Sequence, residues 1–237
     1  CCKMMIVAVL CLLLSGTMPA LAVNGSAELE ARSAYVWRGI TRTQGVVVDP
    51  YINVKMGGFT FGFWGNVNLE DYNKIDKQGL FTETDITLSY DIDVDTAIIG
   101  LGYTEYQYTV DREDTREVSA SMRGPVFHDN LFAGIKVYYD LGAIKDYYAA
   151  VSLDYEFKIA DSLKGDAGAS AGYIGEDMSV NDQGGLNDYS FFLAVNYNVD
   201  SGLEMGGKIV FTDSLDSDVL PDQPVEFFLC LSVVKKF

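Results

Sequence analysis

The chain has 237 residues, with 34 acids against 17 bases and a formal charge of −17, which excludes nucleic-acid binding driven by bulk charge. Aromatic residues make up 13%, with 23 Gly and only 5 Pro, a mixture that suits strands and tight turns better than helices. Cys1, Cys2 and Cys11 sit near the start, which leaves Cys230 alone in the remainder, and His128 is the sole histidine. An intrachain disulfide beyond the start and a histidine metal cluster are therefore excluded, and a histidine-dependent triad has one possible base.

Lys3 precedes an apolar run over 4–14, then Ser15-Gly16 and Pro19 interrupt it before Ala20-Leu21-Ala22, a small-x-small cleavage pattern. The segment 1–22 is expected to be a cleaved secretory signal peptide, because the run falls short of the roughly 18 apolar residues a spanning helix needs. Residues 23–237 then form one exported, acidic domain.

Beyond the leader no apolar stretch could cross a bilayer as a helix, yet short segments of period two recur to the last residue. They fall near 26–38, 48–56, 59–69, 81–91, 96–108, 115–123, 131–140, 146–157, 164–174, 188–199, 203–213 and 225–237. Period two means strands with two different faces. In 59–69, Phe59, Phe61, Phe63, Val67 and Leu69 share one face, and Thr60, Gly62, Trp64, Asn66 and Asn68 the other. In the last segment Phe227, Leu229, Leu231 and Val233 oppose Glu226, Phe228, Cys230 and Ser232. Each segment is near the roughly 9 to 11 residues a tilted strand needs to cross a bilayer. The expected fold is all-β: a transmembrane, antiparallel, up-and-down barrel of about twelve strands.

The connections alternate. One set, at 57–58, 92–95, 124–130, 159–163 and 200–202, is mostly short, and the other, at 39–47, 70–80, 109–114, 141–145, 175–187 and 214–224, mostly longer. Outer-membrane barrels keep short turns in the periplasm and longer loops outside, so both termini are expected in the periplasm. Aromatics then fall at both ends of the outward faces. Tyr35, Trp37, Tyr103, Tyr139, Tyr147, Tyr173, Tyr189, Phe211 and Phe227 lie at the loop ends, and Phe59, Tyr90, Tyr155, Phe157, Tyr197 and Phe237 at the turn ends. Two interfacial girdles have this form, whereas a soluble sandwich has no reason to sort its aromatics to both strand ends. A soluble ligand-holding barrel would need its outward aliphatics covered, and nothing in the chain is available to cover them.

Tyr35-Val36-Trp37-Arg38-Gly39-Ile40, followed after a strand by Gly58-Phe59-Thr60-Phe61-Gly62-Phe63-Trp64-Gly65-Asn66, resembles the TorF-type porin family of bacterial outer-membrane proteins. Leu101-Gly102-Tyr103 with Tyr106 and Tyr108, Thr115-Arg116-Glu117-Val118, and Tyr138-Tyr139-Asp140 before Tyr147-Tyr148 extend the likeness over roughly 26–174. The resemblance implies an outer-membrane porin and says little of its solute. The final Phe237 after an alternating strand is similar to the terminal signature by which such barrels are recognised for assembly. The implied partners are outer-membrane lipid and lipopolysaccharide, the barrel assembly machinery and small polar solutes, with no nucleic acid.

Candidate chemistry is sparse. His128 falls in an expected turn, remote from any rim where a nucleophile and acid would gather, so no enzyme is expected. Gly184-Gly185 and Gly206-Gly207 open no helix, and no cofactor is expected. Asp213, Asp216, Asp218 and Asp222, or Glu70, Asp71 and Asp76, could offer oxygens to a divalent cation but read more simply as solvated charge. The lumen face is expected to hold Glu28, Glu30, Asp49, Glu83, Asp85, Asp91, Glu117, Asp140, Asp154, Glu156, Asp166, Glu204 and Glu226 against Arg32, Arg38, Lys55, Arg123, Lys136, Lys164, Lys208 and Lys236. That is an excess of five acids. Pore-lining candidates are Arg32, Arg38, Trp64, Glu83, Asp85, Tyr106, Glu117, Lys136, Asp154 and Lys208, with Phe237 the assembly signal. Arg38 is expected either as a constriction or loop anchor or in an internal ion pair. Trp64, Tyr106, Tyr108, Phe132, Tyr138, Tyr148 and Phe192 point inward and could fill the barrel, so a passive channel for small polar or cationic solutes and a non-conducting barrel both stand.

Overall fold

The computed structural model describes residues 23–70, 78–109 and 112–237. The expected signal peptide lies outside the described residues. The strands are β1 (Val23–Arg32), β2 (Tyr35–Trp37), β3 (Ile40–Thr43), β4 (Val47–Met56), β5 (Phe59–Asn68), β6 (Phe81–Val94) and β7 (Ala97–Tyr108). They continue as β8 (Thr115–Val126), β9 (His128–Asp140), β10 (Tyr147–Ala160), β11 (Leu163–Ile174), β12 (Gly185–Asn198), β13 (Leu203–Ser214) and β14 (Phe227–Lys236). Twelve of them form one closed antiparallel barrel, in the order β1-β14-β13-β12-β11-β10-β9-β8-β7-β6-β5-β4, and β2 and β3 pair only with each other.

Closure joins the first strand to the last. β1 runs beside β14 from Ser26↔Lys236 to Arg32↔Cys230, and on its other edge beside β4 from Val23↔Met56 to Arg32↔Val47. At the seam Gly25 and Phe237 exchange both backbone hydrogen bonds, at 2.8 and 2.9 Å. The Phe237 ring lies where a Cβ on Gly25 would stand, so the missing side chain makes room for the terminal ring.

The faces sort as period two requires. Leu29, Ile52, Phe61, Leu88, Leu101, Ile135, Leu153, Leu193, Ile209, Leu229 and Leu231 are exposed on the outside, while Asp49, Asn66, Glu83, Glu117, Asp140 and Asp188 are buried within. An apolar exterior of this extent needs a lipid or protein cover, and a closed sheet leaves no unpaired edge in it. Most of the expected girdle is in place: Tyr103, Tyr139, Tyr147, Tyr173 and Phe227 are exposed at one end, and Phe59, Tyr90, Tyr155, Tyr197 and Phe237 at the other.

Two expectations are corrected. The segment at 26–38 is not one strand: β1 stops at Arg32, and Tyr35 and Trp37 belong to the inward β2–β3 hairpin rather than to the lipid-facing girdle. Ser33 marks the break, since its N–H donates to Leu229 O at 2.9 Å and its Oγ accepts from Leu229 N at 3.0 Å. A hydroxyl spent on the last ladder step stands where lipid-facing alternation called for an apolar side chain. The turn expected at 124–130 shrinks to the residue between β8 and β9, where Phe127 takes φ 61° and is 95% exposed. His128 opens β9 instead of lying in a turn.

Candidate functional site

The lumen is divided by the hairpin. Its turn is Arg38-Gly39, between the paired Trp37 and Ile40, with φ of 51° and 77°. Two successive positive φ values are the mark of a tight I′ hairpin turn. Glycine is further required at position 39 because a Cβ there would stand 2.6 Å from Asp188 Cβ and 2.7 Å from Leu220 Cδ2.

The base of the hairpin is fixed by apolar contact: Ala34 packs with Val210, Phe228 and Cys230, joined by Val36 and Phe192. Cys230 thus serves as a small inward packing residue. Along its length the Tyr35 hydroxyl donates to Glu83 Oε2 at 3.1 Å, Thr43 Oγ1 to Asn68 Oδ1 at 3.2 Å, and Thr41 N to Gln223 Oε1 at 2.9 Å.

At the tip Arg38 donates to both Glu117 oxygens, at 2.8 and 2.7 Å. Its guanidinium also lies 4.1 Å from the Trp37 ring centroid, 4.4 Å from Tyr138 and 4.6 Å from Tyr148. Asn187 Nδ2 donates to Arg38 O at 2.9 Å. In the ring order β9, which carries Tyr138, is six strands from β1 in either direction. The hairpin therefore leaves the wall beside β1 and meets the diametrically opposite wall.

Two further loops close over it. Ser179 Oγ donates to Val219 O at 2.9 Å and Asn181 Nδ2 to Asp218 O at 3.0 Å, tying the β11–β12 loop to the β13–β14 loop. Met178 and Val219 bury against Tyr148 and Ile174. The acids of this region act locally: Asp216 Oδ1 accepts from Asp218 N, and Asp213 Oδ1 from Ser214 N. Among the described residues no group of His, Cys, Asp and Glu could hold a metal ion. Asp71 and Asp76 lie outside the described residues.

At the end where β1 starts and β14 stops the lumen is lined by charge. Lys55–Asp91 at 3.6 Å, Arg123–Glu156 at 3.4 Å and Lys236–Glu204 at 3.3 Å line it as half-exposed pairs. Such pairs add only about 0–1 kcal/mol each to stability, so their consequence is the charge pattern a solute meets.

The expected pore-lining residues fall into two groups by their contacts. Arg32, Arg38, Trp64, Glu83, Asp85, Tyr106 and Glu117 gather around the hairpin. Arg32 bridges Glu30 at 2.7 Å and Asp49 at 2.6 Å and lies 5.9 Å from the Trp64 ring; the Tyr106 hydroxyl donates to Glu117 Oε2 at 2.9 Å. Lys136, Asp154 and Lys208 lie apart from them. Lys136 Nζ sits 4.7 Å from the Tyr138 ring, Asp154 faces Arg123 at 3.9 Å, and Lys208 lies between Ala194 and Cys230 on its neighbouring strands. Sequence reasoning missed the hairpin and its receptors Asn187, Asp188, Leu220 and Gln223. The readable signal was Ser33 at a position of lipid-facing parity.

With this geometry in view the chain can be set beside solved structures. The KdgM porin matches with a TM-score of 0.58 at 12% identity, over 90% of this chain and 99% of that one. The NanC porin matches with 0.57 at 11%, over 91% and 100%, and the COG4313 outer-membrane channel from Pseudomonas putida F1 with 0.55 at 12%, over 93% and 97%. The barrel shares its fold with these porins. No protein-family model and no curated protein sequence matches the chain. At such identities the likeness is one of architecture, and solute and selectivity must come from this chain's own lumen.

Proposed function

We propose that the chain is a bacterial outer-membrane diffusion channel for small polar or cationic solutes, of the TorF-type porin kind, with both termini in the periplasm. The observation that carries this reading is the contrast of faces: an apolar exterior surrounds a lumen that exposes Lys55, Arg123 and Lys236 with their acids at one end. A charged interior inside a lipid-facing wall is what a water-filled conduit for solutes requires. The fold shared with porins supports the same reading. The hairpin and loops narrow the other end, so the solutes are small. No catalytic constellation is part of this function, and no cofactor is required. Lipopolysaccharide and phospholipid cover the exterior, and the barrel assembly machinery receives the terminal strand.

A second reading is favoured by one feature. Because Arg38 meets the opposite wall, the hairpin could seal the lumen and leave a structural or surface-binding barrel. Single-channel recording of the refolded chain in planar bilayers separates the two: discrete conductance steps support the channel, and a silent barrel with normal gel mobility overturns it.

A further inference from the structure

The acids around the hairpin are almost all served by donors of the protein itself. Asp49 has Arg32 at 2.6 Å and Asn66 at 2.7 Å; Glu83 has Tyr35, and Glu117 has Arg38 and Tyr106. Asp188 has Tyr148 and Asn187. Asp85 differs: its Oδ1 is buried and has no hydrogen-bond partner among the described residues, and no basic side chain lies within 4.0 Å of it among those residues.

Its neighbours are aromatic. On β6, Asp85 stands opposite Trp64 of β5 and Tyr106 of β7, and directly opposed side chains begin about 4.5–5.5 Å apart. The hairpin lies over both rings, with Tyr35 5.8 Å from Trp64 and Trp37 6.4 Å from Tyr106, centroid to centroid. Rings at this level already take cations: Arg32 lies near Trp64 and Tyr35, and Arg42 lies 4.9 Å from Trp37. Toward the end where β14 stops, the next inward positions on these strands are Gly62, Thr87, Thr104 and Ser119. Tyr51, opposite Trp64 on β4, lays its ring over Gly62 and adds a third aromatic side chain to this level.

We propose that Asp85, with Trp64 and Tyr106 at its sides, is the residue by which the lumen selects organic ammonium cations. An alkylammonium group offers a charge for the carboxylate and apolar surface for the rings, and ring faces attract such cations once water is shed. A small inorganic ion would give up more hydration for one carboxylate and two weak π faces. The selecting role rests on the channel reading, so the test separates the two.

The only tryptophans of the chain, Trp37 and Trp64, are both at this place. The refolded full chain in detergent micelles is titrated with tetramethylammonium chloride, and separately with sodium chloride at equal ionic strength, while tryptophan fluorescence is followed. A saturable change is expected with tetramethylammonium only. Asp85→Asn should weaken it by about tenfold or more, whereas Asp161→Asn, in an exposed turn, should leave it unchanged. Heat-modifiable gel mobility checks that each variant is folded, and the sodium titration of the parent chain decides even if Asp85→Asn does not fold. No saturation, the same change with sodium, or an undiminished response in folded Asp85→Asn overturns the site. A chain that conducts without binding loses the site alone, and one that binds but is silent in bilayers loses the channel alone.

Discussion

Arg38 and Glu117 are 79 residues apart in sequence and meet across the barrel in a two-pronged ion pair, with 6% and 3% of their side chains exposed. A buried pair broken from one side leaves an uncompensated charge, at a cost of about 3–5 kcal/mol. Arg38→Ala should therefore lower the stability of the folded barrel in denaturant by that order and release the hairpin from the far wall. Conductance in planar bilayers should rise. Unaltered conductance in a folded Arg38→Ala barrel would mean that the hairpin does not bound the path.

Gly39 tests the same element through the backbone. A side chain there meets Asp188 and Leu220 and must also take φ of 77°, which costs an L-residue about 1–2 kcal/mol before any clash. Gly39→Val should displace the turn without removing a charge. Limited trypsin digestion reads this directly: Arg38 and Arg42 should be resistant in the parent chain and cut in the variant. Resistance equal to the parent's would place the turn's tolerance elsewhere.

Deleting Phe237 removes both backbone bonds to Gly25 and the ring that fills its place. The yield of folded, heat-modifiable barrel should fall while export continues, because closure of the barrel follows export. Equal folded yield from the truncated and full-length chains contradicts this assignment.

Cation preference follows from the charges left after pairing. Glu28, Glu83, Asp85, Asp140, Asp166, Asp188 and Glu226 have no basic partner within 4.0 Å among the described residues, against Arg42, Lys136, Lys164 and Lys208 on the basic side. An acidic remainder on a narrow, low-dielectric wall concentrates cations, and screening over about 8 Å at physiological salt erodes it. Reversal potentials under a potassium chloride gradient should carry the cation-selective sign and shrink as salt rises. An anion-selective sign would overturn the charge assignment.

The apolar exterior needs a cover, and the proposed cover is lipid. The expressed protein should fractionate with the outer membrane and migrate differently before and after boiling in detergent. Recovery in the soluble periplasm would contradict the reading of that face.

The sequence by itself determined the strand count, the faces and most of the aromatic girdle, because alternation is local and lipid imposes it on every strand alike. It placed Glu83, Asp85, Glu117 and Arg38 on the lumen side for the same reason. Its one sign that Tyr35 and Trp37 leave the wall is Ser33, since their parity otherwise continues that of Leu29 and Ala31. It could not tell which of thirteen acids Arg38 would meet, because a partner on the opposite wall is selected by ring closure and by the reach of the hairpin. Only the tertiary structure decided that Glu117 gains a basic partner and Asp85 does not, since both are acids of inward parity and differ only in what the closed barrel brings to them.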